Sequence, residues 1–259
     1  MQATQSSAAH INFILHLADN ALIHGQRIAE WCSHGPVLEE DIAMANIGLD
    51  HIGQARMLYQ HAASLIGNTT EDKLAYFRGP EQFLNYTMLE LPHRTAFAPS
   101  VQTQRNYAVT IARNFLYSSL MHLVWYQLES SGDAQLAAIA AKSSKEVRYH
   151  LRHSTDWMLR LGDGTAESHT RMQDALDFLM PFTQEWFVPC APEKDCIDMA
   201  ALQASWQTAI TTVIAQATLQ MPGSAGFITR GKEGQHSEHL SYLLAEMQSL
   251  ARAHPEATW

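Results

Sequence analysis

An all-α protein is the fold class this sequence predicts, and three observations carry the expectation. No window shows the sustained apolar–polar alternation of a half-buried strand. Apolar residues instead recur at helical spacing over long stretches, separated by Gly, Pro and Asn signals. Two of the resulting helical hairpins also carry matching polar segments at similar distances from their turns.

The first helix is expected from Ala8 to Trp31, where Ile11, Ile14, Leu15, Leu17, Ala18, Leu22 and Ile28 repeat along one chain stretch. Cys32-Ser33-His34-Gly35-Pro36 stops it, because Gly just past a helix followed by Pro cannot continue the turn. The second helix runs from Leu38 to Ile66, with Glu39, Glu40 and Asp41 against the positive end of its dipole. At 1.5 Å rise per residue it is a rod about 40 Å long. A short turn between two long helices makes an antiparallel hairpin. The stretch from Gly67 to Ser100 holds Gly79, Pro80, Pro92 and Pro99, with short helical pieces around Leu74–Phe77 and Gln82–Leu89. It reads as a crossover between hairpins. The third helix is expected from Ser100 to Leu128 and the fourth from Asp133 to Leu161, about the turn Ser131-Gly132-Asp133. Further helices start at Thr165 (interrupted at Pro181), run from Met199 to Gln220, and run from Ser237 to His254. Residues 1–259 are expected to form one domain, with a core bundle over about 8–161 and accessory helices over about 165–254.

The 259 residues are 46% hydrophobic and 17% charged, enough to bury a large core. A formal net charge of -9 argues against nucleic acid and anionic membrane surfaces as partners. The longest weakly polar run, Ala209 to Met221, is too short and too polar to span a bilayer. The first residues lack the basic and apolar regions of a secretory signal. Cys32, Cys190 and Cys196 are odd in number and sparse, which suits free thiols. Together these predict a cytoplasmic protein.

The polar segments of the second and fourth helices correspond. Asp50 is followed by Gln54 and Arg56, and Glu146 by His150 and Arg152, at the same spacings. Two helical hairpins joined by a long crossover, with polar groups at matching heights, is the ferritin-like plan. Such bundles hold two irons with a Glu from each of two helices and Glu-x-x-His from the others. The carboxylates are needed because iron prefers oxygen ligands and its charge must be offset. Here the residue three before His150 is Val147, and the second helix offers His51 and Gln54. The first helix offers Asp19 and His24 at the mirrored height. The third has no Asp or Glu, and the position level with His150 falls near Asn114, Phe115 and Leu116. The expectation is therefore no metal, only vestigial positions: Asp19, Asp50, His51, Gln54, Glu146, Val147 and His150. Their polar groups, with Arg56, Arg148 and Arg152, are expected to pair with one another or to face solvent.

Two other constellations fall to simpler readings. Gly226 to Lys232 has phosphate-loop spacing but puts Glu233 where Ser or Thr must stand, with no preceding strand. His236-Ser237-Glu238-His239 resembles a metal pair, but Ser237 as an N-cap and Glu238 in the first turn account for it.

The segments Asp41–Asp50, Gly53–Arg56, Lys145–Arg152, His236–Leu240 and Leu244–Gln248 resemble the C-type subunits of bacterial phenylacetyl-CoA epoxidase complexes. The resemblance runs from about Asp19 to Trp259. It implies a non-catalytic, structural ferritin-like subunit in aerobic phenylacetate catabolism. It implies partners too: a homologous catalytic subunit holding a di-iron centre, small accessory subunits, and a reductase bringing electrons from NADPH through flavin and an iron–sulfur cluster. It implies no cofactor on this chain. It also brings the CoA part of phenylacetyl-CoA near Gln82, Phe83, Leu84 and Asn85 in the crossover, and near Thr183, Gln184 and Glu185 after Pro181. The competing reading is a ferritin-like di-iron oxygenase or oxidase active in its own right, which requires the carboxylates that the third helix lacks.

Overall fold

A computed structural model describes residues 8–95, 105–194, 196–223 and 227–257. Among the described residues the chain is helical, and the only β pairing is one isolated bridge between Arg230 and Gln235. Four long helices dominate: α1 (Ala8–Ala29), α2 (Leu38–Ile66), α5 (Tyr107–Leu128) and α6 (Ala134–Gly162). The crossover carries α3 (Glu71–Tyr76) and α4 (Thr87–Glu90). After α6 come α7 (Ala166–Leu179), α8 (Gln184–Phe187), α9 (Met199–Gln216) and α10 (Glu238–Ala253).

Contacts at the two ends fix the helix directions. His10 at the start of α1 and His61 near the end of α2 both reach Asp133, the N-cap residue of α6. At the other end, Glu40 near the start of α2 accepts hydrogen bonds from Tyr107 at the start of α5 (2.5 Å) and His153 late in α6 (2.9 Å). So α1 and α2 are antiparallel, α5 and α6 are antiparallel, and the crossover returns the chain along the length of the bundle.

Burial explains why α1 and α5 carry so few charges. Residues 13–25 of α1 and 108–121 of α5 are all buried, so both helices are apolar nearly all round. α2 and α6 keep one polar face each. The hairpin closes tightly at Gly25, where an added Cβ would stand 3.2 Å from the Gly48 carbonyl oxygen of α2.

α1 ends at Ala29 rather than Trp31 and α3 starts at Glu71, and three larger departures from the sequence reading have a local cause or limit. α5 begins at Tyr107, capped by Asn106, whose side chain accepts from Ala108 N at 3.1 Å; positions 100–104 of the expected helix lie outside the described residues. The piece expected over Gln82–Leu89 is broken: a 3-10 turn at Pro80–Gln82, an extended stretch, then α4. The cause is α1. Asp19 accepts from Leu84 N (2.8 Å) and Asn20 from Tyr86 N (2.7 Å), which holds 83–86 extended against the buried helix. α9 ends at Gln216, because Thr218 takes a left-handed φ of 60° that cannot continue a helix.

Candidate functional site

The waist of the bundle gathers the polar side chains of the two matching segments. His150 Nε2 lies 2.9 Å from Asp50 Oδ2, and Gln54 donates to Glu146 Oε2 at 2.9 Å. Each acid of one segment is thus paired with the polar residue of the other, a reciprocal bond between α2 and α6. From His150 a line of tilted and edge-on ring contacts runs inward through two more imidazoles. The ring centroids of His51 and His150 are 4.9 Å apart, and those of His24 and His51 are 4.7 Å apart. Tyr117 of α5 closes the line, 5.0 Å from His24. The sequence count is met on α5: Asn114, at the expected height, and Tyr117, one residue past Leu116, both neighbour His24. Asn114 is buried beside His24 as a polar neighbour, and Val147 is 1% exposed in the apolar core.

Burial sets the charge state of two of the waist histidines. Burial first, then the nearby His24 and His150, hold the His51 imidazole well below its ordinary range. Burial and the Arg113 guanidinium do the same to His24. Among the described residues, no ring nitrogen of His24 or His51 has a hydrogen-bond partner of good geometry. Arg113 itself is buried on α5 and donates to Pro92 O at 2.9 Å. Burial and then Arg27 lower its pKa to about 9, so it is still a cation at neutral pH. α5 brings no carboxylate to the waist, and its one charged residue, Arg113, puts a positive charge near His24.

Asp19 belongs to a different cluster. It is fully buried and accepts from Tyr59 OH (2.5 Å), Leu84 N (2.8 Å) and Arg78 Nη1 (3.2 Å), and also from Arg78 Nη2. Burial and the neighbouring Asp19 carboxylate push the Tyr59 hydroxyl pKa well up. Asp19 thus ties the crossover, through Arg78 and Leu84, to α1 and to Tyr59 of α2. Of the remaining charged positions, Arg56 makes only a long 3.9 Å contact with Glu71, Arg148 is exposed, and Arg152 lies over the Tyr149 ring.

A di-iron centre does not fit this donor set. It would have Asp50 and Glu146, both already bonded across the helix pair, three histidines, no acid from α5 and a buried arginine near His24. Among the described residues, no three His, Cys, Asp or Glu side chains at the waist bring their ligand atoms within 4.8 Å of one another.

Known sequences decide the family. The profile of the phenylacetic acid catabolic protein family matches residues 1–259. The chain belongs to that family. A curated member, the C-type subunit of 1,2-phenylacetyl-CoA epoxidase from Escherichia coli strain K12, is 42% identical over 253 residues, covering 95% of this chain and 98% of the relative.

The segments that the family resemblance ties to CoA divide by burial. Phe83 is fully buried under the Arg78 guanidinium, 4.3 Å from its ring centroid. Asn85 donates to Glu90 Oε2 at 3.0 Å, inside the protein. Glu185 is 1% exposed and accepts from Thr87 N (3.0 Å), Thr229 Oγ1 (2.8 Å) and Lys232 N (2.8 Å). It staples the Gly-rich loop to α4, which requires Gly231: an added Cβ there would meet Asn85 O at 2.5 Å. Lys232 is 3% exposed and paired with Glu193 at 2.8 Å, so this lysine is turned away from outside anions. Gln82 is exposed and Leu84 half-buried. Thr183 and Gln184 line a groove of about 380 Å³ shared with Trp206, Met221 and Ile228. Sequence reasoning did not single out Arg78 or Arg113. A basic residue in a helix otherwise free of charge was the available signal for Arg113.

Proposed function

We propose that this chain is the structural, ferritin-like C-type subunit of a phenylacetyl-CoA epoxidase, acting in cytoplasmic phenylacetate catabolism. The observation that carries the reading is the waist itself: the ligand heights are kept, but their acids are bonded across α2 and α6, and α5 supplies no acid. In this reading a homologous catalytic subunit holds the di-iron centre. A reductase with flavin and an iron–sulfur cluster feeds it electrons from NADPH, and small accessory subunits complete the complex. This chain supplies shape.

An apolar stripe supports a helical partner. Leu38 (69% exposed), Ile42 (53%), Leu49 (65%) and Ile52 (39%) fall on one face of α2. Contiguous exposed apolar surface of this kind marks an interaction site. We assign it to the catalytic subunit. Gln82, Leu84 and Gln184 are the members of the CoA-linked segments with exposed surface to offer, while Phe83, Asn85, Thr183 and Glu185 support them from within. Deleting the gene should abolish growth on phenylacetate, and the wild-type gene should restore it. Unimpaired growth of the deletion strain would refute the assignment.

A further inference from the structure

We propose that His10, His61 and Asp133 bind one divalent transition-metal ion of the zinc class at the end of the bundle. This site is separate from the waist: His10 and His24 share α1 and are about 21 Å apart along its axis.

The three residues come from three helices. His10 Nε2 is 2.8 Å and His61 Nε2 is 2.6 Å from the same atom, Asp133 Oδ2. The three ligand atoms all lie within 4.8 Å of one another, the one such set of His, Cys, Asp or Glu among the described residues. The carboxylate is already oriented, since its other oxygen, Oδ1, accepts from Gln135 N (3.0 Å) and Leu136 N (3.1 Å). His61 is 8% exposed, and the His10 and Asp133 side chains are 22% and 17% exposed, so the cluster is in part open to solvent. His10 has a further neighbour: Cys196 Sγ stands 3.6 Å from its Nδ1, the nitrogen facing away from Asp133. Such a group behind a ligating imidazole orients the ring.

The chemistry suits a borderline ion. Two imidazole nitrogens and one carboxylate oxygen, with a fourth position left to water, is a donor set that zinc accepts. At metal–ligand distances of about 2.0–2.1 Å, tetrahedral ligands stand about 3.3 Å apart. Each His–Asp distance then opens by about 0.5–0.7 Å from those in the hydrogen-bonded form. The carboxylate lies between the ion and the positive end of α6, which offsets the dipole's repulsion. Binding would tie the start of α1, the end of α2 and the start of α6 into one knot.

The test uses the untagged full-length chain, stripped with chelator and titrated with Co²⁺ and Zn²⁺ by calorimetry and visible absorption. The expected result is one ion per chain and tetrahedral cobalt bands. H10Q and H61Q should each weaken binding roughly tenfold or more, since even outer-shell losses do this much. D133N, which keeps an N-cap acceptor, should also lose the ion while far-ultraviolet dichroism shows the helices intact. Zinc should raise the thermal midpoint of the wild type and not of H10Q. H51Q, at the waist, should bind as the wild type does. The proposal is overturned if no ion binds stoichiometrically, if binding persists in the H10Q/H61Q double variant, or if H51Q is the variant that loses it.

Discussion

His150 Nε2 and Asp50 Oδ2 meet at 2.9 Å across the gap between α6 and α2. The imidazole is 1% exposed and the Asp50 side chain 38%. A nitrogen at a ligand height is thereby turned to a carboxylate of the same chain, and its proton fills the bond. Removing the acid strands a buried donor. D50A should therefore destabilise the chain by about 1–2 kcal/mol, the lower part of the range for an unsatisfied buried group because Asp50 is partly solvated. Urea unfolding checks this; an unchanged midpoint would mean that the pair holds nothing.

Val147 occupies the place of the missing carboxylate in the Glu-x-x-His pattern, and it is 1% exposed among apolar neighbours. V147E should not restore a metal site, since α5 still supplies no acid and Arg113 remains close to His24. It should instead bury a charge without a partner and destabilise on the order of 3 kcal/mol. Iron analysis and thermal unfolding of the variant decide between the two outcomes.

Buried histidines give stability a peaked pH profile. The folded-state pKa values of His24 and His51 lie well below the unfolded value, chiefly through burial. Their contribution is complete above about 6.5 and is lost as pH falls toward their folded values. His236 runs the other way. Burial opposes its charge, yet Glu90 Oε2 at 2.8 Å and Phe83 O at 2.8 Å face its two nitrogens and raise its pKa. Its contribution is complete below about 6.5 and is lost as pH rises through the raised value. Denaturation midpoints between pH 5 and 8 should fall on both sides of a maximum. H236Q should flatten the alkaline limb, and H51Q the acid limb.

The α2 stripe is testable without touching the core. L49D with I52D replaces two exposed apolar side chains by charges. Helical content and thermal midpoint should stay near those of the wild type, because substitutions at exposed positions usually change stability by under about 0.5 kcal/mol. Co-purification with the catalytic subunit should be lost. Retained complex would move the interface elsewhere.

The helices were legible because periodicity and capping are local. α2 begins and ends where Leu38 and Ile66 were expected, at acids on one side and Gly67 on the other. Ser237 caps α10 as its sequence position suggests, accepting from His239 N at 3.3 Å. The absent acid on α5 was equally plain, since it needs only composition. Pairings between helices were not legible. Asp50 and Glu146 sit one residue away from the expected ligand positions, and only the relative rotation of α2 and α6 brings them to His150 and Gln54. The same limit hid His10, His61 and Asp133, whose grouping depends on which helix ends share one end of the bundle. The extended stretch at 83–86 was hidden because its cause, Asp19 and Asn20, lies on another helix.

The central claim is that this chain lends structure to chemistry done elsewhere. The most direct test is iron content after anaerobic ferrous loading, for the chain alone and for its complex with the catalytic subunit, separated afterwards. The isolated chain should retain far less than stoichiometric iron, and the iron of the complex should stay with the catalytic subunit. A full di-iron complement retained by this chain alone would contradict it.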